Sequence, residues 1–337
     1  MPSAKEIKSK MRGVRDTMKI TKAMYMISTI NMRKAKHQLE ATEPYFYGLQ
    51  QTMMKILKKF PNIKSEFFGD RYDDNDHLIN EGKPKKVGYL VLSSDRGLAG
   101  AYNLNIFNVV EANIAGKTKD EYELFVVGEL GLHTLAGRGY NVNMDFHNTV
   151  TKPSLERVRL LAEELIQKYL SGELDEIKVI YTRMINTMEV TVDMQQILPF
   201  SREDFITIDH KKVPKAAFSA SLAEGMKDES EYPVYPDPHV VLDEVVRNYV
   251  IGFLYGTFVE ATACEENSRM TAMKTATDNA KDLLGVLTIK YNRVRQAAIT
   301  QQITEISSGA RALDVYKRQG QNSFKKWSSY NSCSGQY

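Results

Sequence analysis

Both ends of the chain carry a long apolar seam. Near the amino terminus, alternating steps of three and four residues cover about five heptads, at Ile7, Met11, Val14, Met18, Thr21, Tyr25, Ser28, Met32, Ala35 and Leu39. The same spacing returns near the other end, at Met270, Met273, Thr277, Ala280, Leu284, Leu287, Tyr291, Val294, Ala298, Gln301 and Glu305. This spacing is typical of a coiled coil. The sequence therefore predicts two long helices that bracket everything between them.

The two seams define two arms. Residues 1–58 are predicted as the amino-terminal coiled-coil helix, because no proline interrupts the pattern between its first turn and Pro44. Such a helix could reach about 80 Å, which is too long for an ordinary helix of a compact domain. Residues 239–313 are predicted as the carboxyl-terminal coiled-coil helix. Because a compact segment between the arms joins the same end of both, we expect them to pair antiparallel.

The segment between the arms has the pattern of an α/β domain. A buried-strand run at 87–94 is followed by a turn and a helix pattern, and further strand and helix patterns alternate with them up to residue 200. We therefore predict a Rossmann-like α/β domain over 87–200, inserted between the two arms of an antiparallel two-helix coiled coil.

Three segments lack a regular pattern. Residues 59–86 are largely polar and are predicted to be a linker, and residues 201–238 are rich in proline and are predicted to be an irregular loop or foot. Residues 314–337 have no seam and are rich in Ser, Asn and Gln. We expect this tail to be disordered or foreign to the gene.

Composition excludes several classes of protein. Hydrophobic residues make up 42% of the chain, charged residues 26%, and the formal net charge is only +3, which is ordinary for a soluble protein. The most apolar run, residues 250–263, is shorter than the roughly twenty residues that span a bilayer, so we expect no membrane insertion. The charged start is unlike a secretory signal. Two distant cysteines fit a reducing compartment.

Signals for catalysis are weak. The run AGKT at 115–118 ends like a phosphate-binding loop, but Glu111 stands where the first glycine of that motif is required. The six histidines lack metal-ligand spacing, and Cys264 has no Cys or His nearby. Asp95 and Arg96 are interpreted as turn residues. The sequence therefore predicts no catalytic residue, no cofactor and no metal.

The amino-terminal arm is strongly basic. Residues 5–36 contain ten Lys or Arg against only Glu6 and Asp16. A solvated helix surface and an acidic protein partner both explain this charge. Nucleic acid is the least favoured partner, because aromatic residues are not interleaved with the basic ones.

Three motifs, in order, resemble the gamma subunit family of F-type ATP synthases. They are AKEIKSKMRGVRDTMKITKAMYMISTINMRKAK in the first helix, SSDRGLAGAYN after the first strand, and ITQQITEISSGARA near the carboxyl end. The resemblance covers about residues 3–313. It implies the same architecture that the periodicity predicts, namely two arms around an α/β insert.

The resemblance also implies a function. A member of this family is a non-catalytic central-stalk rotor, which rotates within the alpha/beta catalytic ring and couples proton or sodium flow to ATP synthesis. Its implied partners are the alpha and beta subunits, the epsilon subunit and the membrane c-ring. Its implied location is the cytoplasmic side of the cell membrane, as a peripheral protein.

Contact residues are implied by matching this chain to the family's motifs. Contacts with the alpha/beta ring are implied for Met24, Arg269, Gln296, Thr300 and Glu305. Foot contacts with the rotor ring and epsilon are implied for Tyr232, Tyr235 and Asp237. Gln302 stands where the family's signature usually has an acidic residue, so a charge expected at the ring contact is missing.

Two alternatives belong to other classes. A regulatory enzyme with a coiled-coil arm would need a nucleotide or metal site, which the sequence does not predict. A homodimeric coiled-coil scaffold would self-associate through both seams, whereas pairing within one chain would leave a monomer.

Overall fold

The computed structural model of the chain describes residues 3–69, 85–146, 153–186, 189–201 and 234–333. Its elements are, in chain order, α1 (Ala4–Lys59), a 3-10 turn (Glu66–Phe68), β1 (Val87–Leu92), α2 (Tyr102–Ile114), β2 (Tyr122–Val127), α3 (Glu129–Gly137), α4 (Leu155–Leu170), β3 (Glu176–Met184), β4 (Val190–Leu198) and α5 (Pro238–Cys333). Contacts divide the chain into two units. Unit 1 is Met1–Lys22 with Thr275–Tyr337, and unit 2 is Ala23–Lys274.

Helix α1 begins with a reciprocal cap. The Glu6 N–H donates to Ser3 Oγ at 3.3 Å, and the Ser3 N–H donates to Glu6 Oε2 at 3.1 Å. This pair satisfies amide groups that the first turn of a helix leaves without backbone partners. Helix α5 begins with proline at its first position, where a missing N–H costs nothing. Asp237 Oδ1 caps it by accepting the His239 N–H at 2.8 Å.

In unit 1 the two long helices meet through their seams. Thr21 and Thr277 hydroxyls lie 2.8 Å apart in a hydrogen bond between the helices. Seventeen residues separate Thr21 from Ala4, where α1 begins, and the same number takes Thr277 to Val294. The predicted carboxyl-terminal seam is buried or half-buried from Met270 to Val294 and exposed at its last three positions. The seam therefore ends early because α1 supplies no residues beyond that level.

In unit 2 the pairing of the two helices is visibly antiparallel. Asn31 on α1 donates to Glu266 on α5 at 3.2 Å, and farther along α1 the Ala35 side chain packs with Val259 and Ala263. Residue numbers fall along α5 as they rise along α1. The predicted antiparallel two-helix coiled coil is thus confirmed.

The insert is a mixed sheet with strand order β2-β1-β3-β4. β1 pairs in parallel with both β2 and β3, whereas β4 runs antiparallel to β3 at the edge. All six residues of β1 are buried, as expected for a central strand covered on both faces. The predicted α/β insert domain is confirmed.

Alternate residues of β1 serve two cores. Leu90 and Leu92 belong to a cluster with α4, the end of α1 and the first part of α5. Tyr89 and Val91 point to the opposite face and pack with α2 and α3. This division follows from the two-residue period of a strand, and it attaches α5 directly to one face of the sheet.

The predicted linker and foot fall partly outside the described residues. Within the predicted linker 59–86, residues 70–84 are not described, but Ile63 and Phe67 are buried in the main core. This part of the segment is packed rather than solvated because it carries aliphatic and aromatic side chains among its polar ones. Of the predicted loop 201–238, residues 202–233 lie outside the description.

The tail differs from the prediction of disorder. Helix α5 continues from Leu313 to Cys333 without interruption. No proline lies in this stretch, so nothing removes an i to i−4 backbone hydrogen bond, and helix propagation adds one bond for each residue fixed.

In the described part of the chain, no helix combines the length and the apolar character needed to cross a membrane.

A glycine on α5 generates the first prediction. The Phe46 ring of α1 lies against Gly252, so closely that an added methyl group would overlap it. We expect Gly252→Ala to lower the free energy of unfolding by about 1–3 kcal/mol, because overpacking outweighs the gain in helix propensity. Urea unfolding of the isolated chain, followed by circular dichroism, measures this change.

The matched control is Gly285→Ala on the same helix. Nothing lies within 4 Å of a methyl group placed there. This substitution should stabilise the chain by up to about 1 kcal/mol, since alanine is the better helix former. Equal effects of the two substitutions would contradict the packing of Phe46 against Gly252.

Candidate functional site

The sheet has a crevice where its connections change direction. From β1 the chain passes through α2 to β2 on one side, whereas β3 lies on the other side of β1. Open α/β sheets hold ligands at the carboxyl edge of such a point. Here helix α5 fills the place. The Tyr102 hydroxyl donates to the Ala261 carbonyl at 3.3 Å, and the Met184 N–H donates to Glu260 Oε1 at 3.1 Å.

The carboxyl end of β2 is packed against the carboxyl end of β1. Gly128 has a φ of 103°, and an added Cβ would lie 2.5 Å from the Ser93 carbonyl oxygen. The Ser93 hydroxyl itself donates to the Val127 carbonyl at 2.8 Å. Only glycine fits this left-handed, crowded position, so the strand ends are packed against each other.

The turn after β1 is held by hydrogen bonds within the SSDRG motif and from that motif to α2 and α3. The Ser94 N–H donates to Asn103 Oδ1 at 3.0 Å, and the Ser94 hydroxyl donates to the Arg96 carbonyl at 2.8 Å. Asp95 Oδ1 accepts the Glu129 N–H at 3.4 Å, at the start of α3. Asp95 and Arg96 therefore lie in an ordered turn, as the sequence predicted, although Asp95 bonds α3.

Arg269 lies at the centre of a group of charges that we call the crevice ion cluster, formed by Arg269, Glu265 and Glu266. The Arg269 side chain is only 9% exposed. Its guanidinium donates to Glu265 Oε1, lies 3.2 Å from Glu266 Oε2, and approaches the Arg96 carbonyl at 3.4 Å. Glu266 Oε1 in turn accepts from Asn31 on α1. The cluster thus joins α5 to the SSDRG turn and to α1.

The cluster carries more negative than positive charge. Burial raises the pKa of the Glu265 carboxyl to about 7, and the hydrogen bond from Arg269 only partly opposes this. The charges of Glu266 and Asp95 add to the increase. Glu265 is therefore a buried carboxyl that takes up a proton near neutral pH.

The apolar seam did not predict the cluster, because the charged residues of the cluster take no part in that pattern. The run EENSR at 265–269 places acidic residues three and four positions before an arginine. That spacing brings the side chains to one face of a helix. It was the available signal for an ion cluster beside the seam.

The residues implied as ring contacts fall in both units. In unit 2, Met24 is half-buried on α1, and Arg269 is buried in the crevice ion cluster. In unit 1, Gln296, Thr300 and Glu305 are all exposed on α5. At about 100° per residue, Thr300 lies on the side of Gln296, whereas Glu305 points to the opposite side from Gln296. These three residues would therefore face different neighbours.

The residues implied as foot contacts lie at the start of α5. Tyr235 is 87% exposed, and Asp237 is exposed but bonded to the first turn of the helix. Tyr232 lies outside the described residues.

The run AGKT does not have the geometry of a phosphate-binding loop. The run AGKT follows the carboxyl end of α2 instead of preceding a helix, and Lys117 Nζ donates to the Tyr89 hydroxyl at 2.7 Å. Across the residues that the structure describes, no three His, Cys, Asp or Glu side chains group in a way that could hold a metal ion.

Beyond Val294, helix α5 exposes an apolar stripe. Ile299, Ile303, Ile306 and Leu313 follow the spacing of one helix face, and between 46% and 73% of each residue is exposed. We call these four residues the α5 stripe. Exposed apolar patches of this kind mark interaction surfaces in soluble proteins.

The raised pKa of Glu265 generates a pH prediction. Because the folded-state pKa of about 7 exceeds the ordinary value of 4.5, the stability that this group contributes is present at low pH and is lost as pH rises through about 7. Between pH 5 and pH 8, the free energy of unfolding should fall further in the wild type than in Glu265→Gln, by about 1–3 kcal/mol. Thermal unfolding at a series of pH values tests this, with Asp282→Asn on exposed α5 surface as control. Parallel curves for wild type and Glu265→Gln would contradict it.

Comparisons with known proteins agree with the geometry. The family model described as ATP synthase matches residues 3–313. The ATP synthase gamma chain of Staphylococcus saprophyticus is 34% identical over 316 residues, which cover 93% of this chain and 100% of the relative. The ATP synthase gamma chain of Ruminiclostridium cellulolyticum is 37% identical over 310 residues, covering 92% of this chain and 98% of the relative.

A solved structure shows the same fold. A chain from the Euglena gracilis mitochondrial ATP synthase, in a structure of OSCP, F1 and c-ring in rotational state 3, superposes with a TM-score of 0.59. It covers 93% of this chain and 95% of its own length, at 14% sequence identity. With the family match over nearly the whole chain and relatives that align from end to end, this chain belongs to the ATP synthase gamma chain family.

Proposed function

We propose that this chain is the central-stalk rotor subunit of an F-type ATP synthase. In this role it carries no catalytic group and transmits rotation between a membrane c-ring and a catalytic ring of alpha and beta subunits. The coupled ion is a proton or sodium. The epsilon subunit binds at its foot, and the complex places it on the cytoplasmic side of the cell membrane as a peripheral protein.

The observation that carries this proposal is the stretch of α5 beyond Val294. From residue 295 to residue 311 every residue is exposed, and the α5 stripe adds Leu313 on its apolar face. A single helix with an apolar face needs a surface to cover that face. An apolar sleeve formed by a surrounding ring supplies such a surface on every side, and it still allows rotation.

The mechanism follows from asymmetry. A coiled coil has different side chains on each of its sides, so a ring of similar subunits meets a different surface at each position. A partner shifts a conformational equilibrium only through contacts that differ between the states. As the stalk turns, each catalytic subunit therefore passes through the same series of conformations in sequence.

The contact residues follow from this arrangement. Met24, Gln296, Thr300 and Glu305 are proposed to contact the alpha/beta ring, and the different directions of Gln296 and Glu305 suit a stalk that is surrounded. The resemblance implies the same role for Arg269, but its guanidinium is buried and already engaged by two carboxylates, so we leave Arg269 out of the proposed ring contacts. For the foot, the exposure of Tyr235 and the position of Asp237 at the start of α5 support contacts with epsilon and the c-ring. Tyr232 is proposed for the same contacts on the resemblance alone.

The alternative of a homodimeric scaffold is not favoured. Such a dimer would use the seams of both arms, but these seams pair with each other within one chain. The family match and the relatives also belong to ATP synthase gamma chains.

Reconstitution tests the proposed function. The full chain is mixed with alpha and beta subunits of a bacterial relative, and the purified assembly is assayed for ATP hydrolysis. We expect one copy of this chain in each ring, and hydrolysis that requires it. A stable homodimer that does not copurify with the ring would refute the rotor role.

The α5 stripe provides a second test. We expect the double substitution Ile303→Asp and Ile306→Asp to reduce assembly and ATP hydrolysis at least tenfold, because two carboxylates would have to enter an apolar sleeve. Size-exclusion chromatography and a hydrolysis assay measure the two quantities.

The control is Ser308→Asp, which adds a charge on the opposite side of the same exposed helix. It should reduce hydrolysis much less than the double substitution. Unchanged assembly and hydrolysis after the double substitution would argue against burial of the α5 stripe in the ring.

A further inference from the structure

The crevice ion cluster has no part in the proposed contacts with the ring. It lies where three segments of unit 2 meet, since Arg269 is on α5, Arg96 is in the turn that follows β1, and Asn31 is on α1. Arg269 reaches the Arg96 carbonyl, and Glu266 reaches Asn31 while it pairs with Arg269. The cluster therefore connects the insert with both helices at one level of the arm.

Most other contacts between α5 and the sheet are apolar, although the hydrogen bonds accepted by Glu260 and Ala261 also join α5 to the insert. Nearer its amino-terminal end, α5 packs on the sheet through aliphatic and aromatic residues such as Leu242, Val250 and Phe258. Apolar packing is strong but non-directional. Charge-assisted hydrogen bonds are directional, and a guanidinium has a rigid planar fork that fixes the positions of its acceptors. The cluster is therefore suited to set the rotation of the insert around the α5 axis.

We propose that Arg269 is a positioning residue, which holds the insert at a fixed rotational setting on the coiled coil through the crevice ion cluster. This inference rests on the proposed rotor function. In that role, torque applied to the insert has to reach the coiled coil. If the insert turned relative to the coiled coil at their junction, part of this torque would be lost. In other helical proteins, buried polar or ionic groups determine the register in which helices pair, at some cost in stability.

The proposal separates two activities of the assembled complex. Hydrolysis by the soluble ring requires the coiled coil inside the ring, whereas ion pumping also requires that the insert follows the coiled coil. A defect at the junction should therefore lower the number of ions moved per ATP hydrolysed. A direct contact between Arg269 and the ring would instead alter hydrolysis itself.

The experiment uses the complete complex in lipid vesicles and measures ATP hydrolysis and ATP-driven ion uptake on the same preparation. Arg269→Lys keeps the positive charge but loses the fork. We expect ion uptake per ATP to fall at least threefold while hydrolysis by the detached soluble complex stays within twofold of wild type. Asn31→Ala should cause a smaller fall of the same kind, because it removes only the link to α1.

Two controls complete the design. Lys274→Gln removes a positive charge from an exposed position on α5, close to Arg269 along the helix, and should change neither quantity. The combination of Asn31→Ala with Arg269→Lys should lower uptake no more than Arg269→Lys alone, because residues of one network are not additive. Additive losses would contradict a shared network.

A structural measurement keeps the inference testable if Arg269→Lys fails to assemble. In the isolated full-length Asn31→Ala chain, backbone amides of residues 94–103 should exchange with deuterium faster than in wild type, while those of β1 should not. Unchanged exchange in that turn would overturn the inference.

The remaining outcomes are distinct. Parallel losses of hydrolysis and uptake in Arg269→Lys would overturn the positioning role and assign the residue to the ring contact. Unchanged uptake per ATP would overturn it as well. Failure of the wild-type chain to complete the complex would refute the rotor function itself, which the wild-type sample reports independently of any variant.

Discussion

The rest of the structure depends on the pairing of α1 with α5. The coiled coil joins α1 to the part of α5 before Val294, so the described segments between Lys59 and Pro238 form an insert between the two helices. The seam uses small and polar residues as well as large apolar ones, for example Thr21 against Thr277 and Ala35 against Ala263. Small residues let two helices approach closely, and this closeness leaves little room for substitution, as the Phe46 ring on Gly252 illustrates.

Helix α5 also determines whether the sheet has an open ligand-binding crevice. An open α/β sheet offers a crevice at its carboxyl edge, and α5 occupies that crevice with Ala261, Glu260 and the crevice ion cluster. The geometry that holds a ligand in other proteins here holds a helix of the same chain. A scaffold associated with nucleotide binding thus serves as an attachment for a stalk.

The sequence predicted the elements with strong periodicity and missed features that depend on tertiary contacts. The three-and-four spacing predicted both arms, and the run VGYLVL predicted a buried strand, because each pattern reflects burial of a single element. The end of the seam at Val294 depends on where α1 begins, and the burial of Phe67 depends on a core formed elsewhere, so neither was predicted. The ring-contact residues came from resemblance. The link from the ion cluster around Arg269 to Asn31 joins residues that are distant in sequence, so no local pattern predicted it.

The unequal lengths of the two helices have a mechanical consequence. Past Val294, α5 continues as a single, unpaired helix for 39 residues to Cys333, roughly 58 Å at 1.5 Å per residue. One α-helix is more compliant in torsion and in bending than two helices wound together. Under the same torque, this single-helix stretch should therefore twist more than the paired stretch.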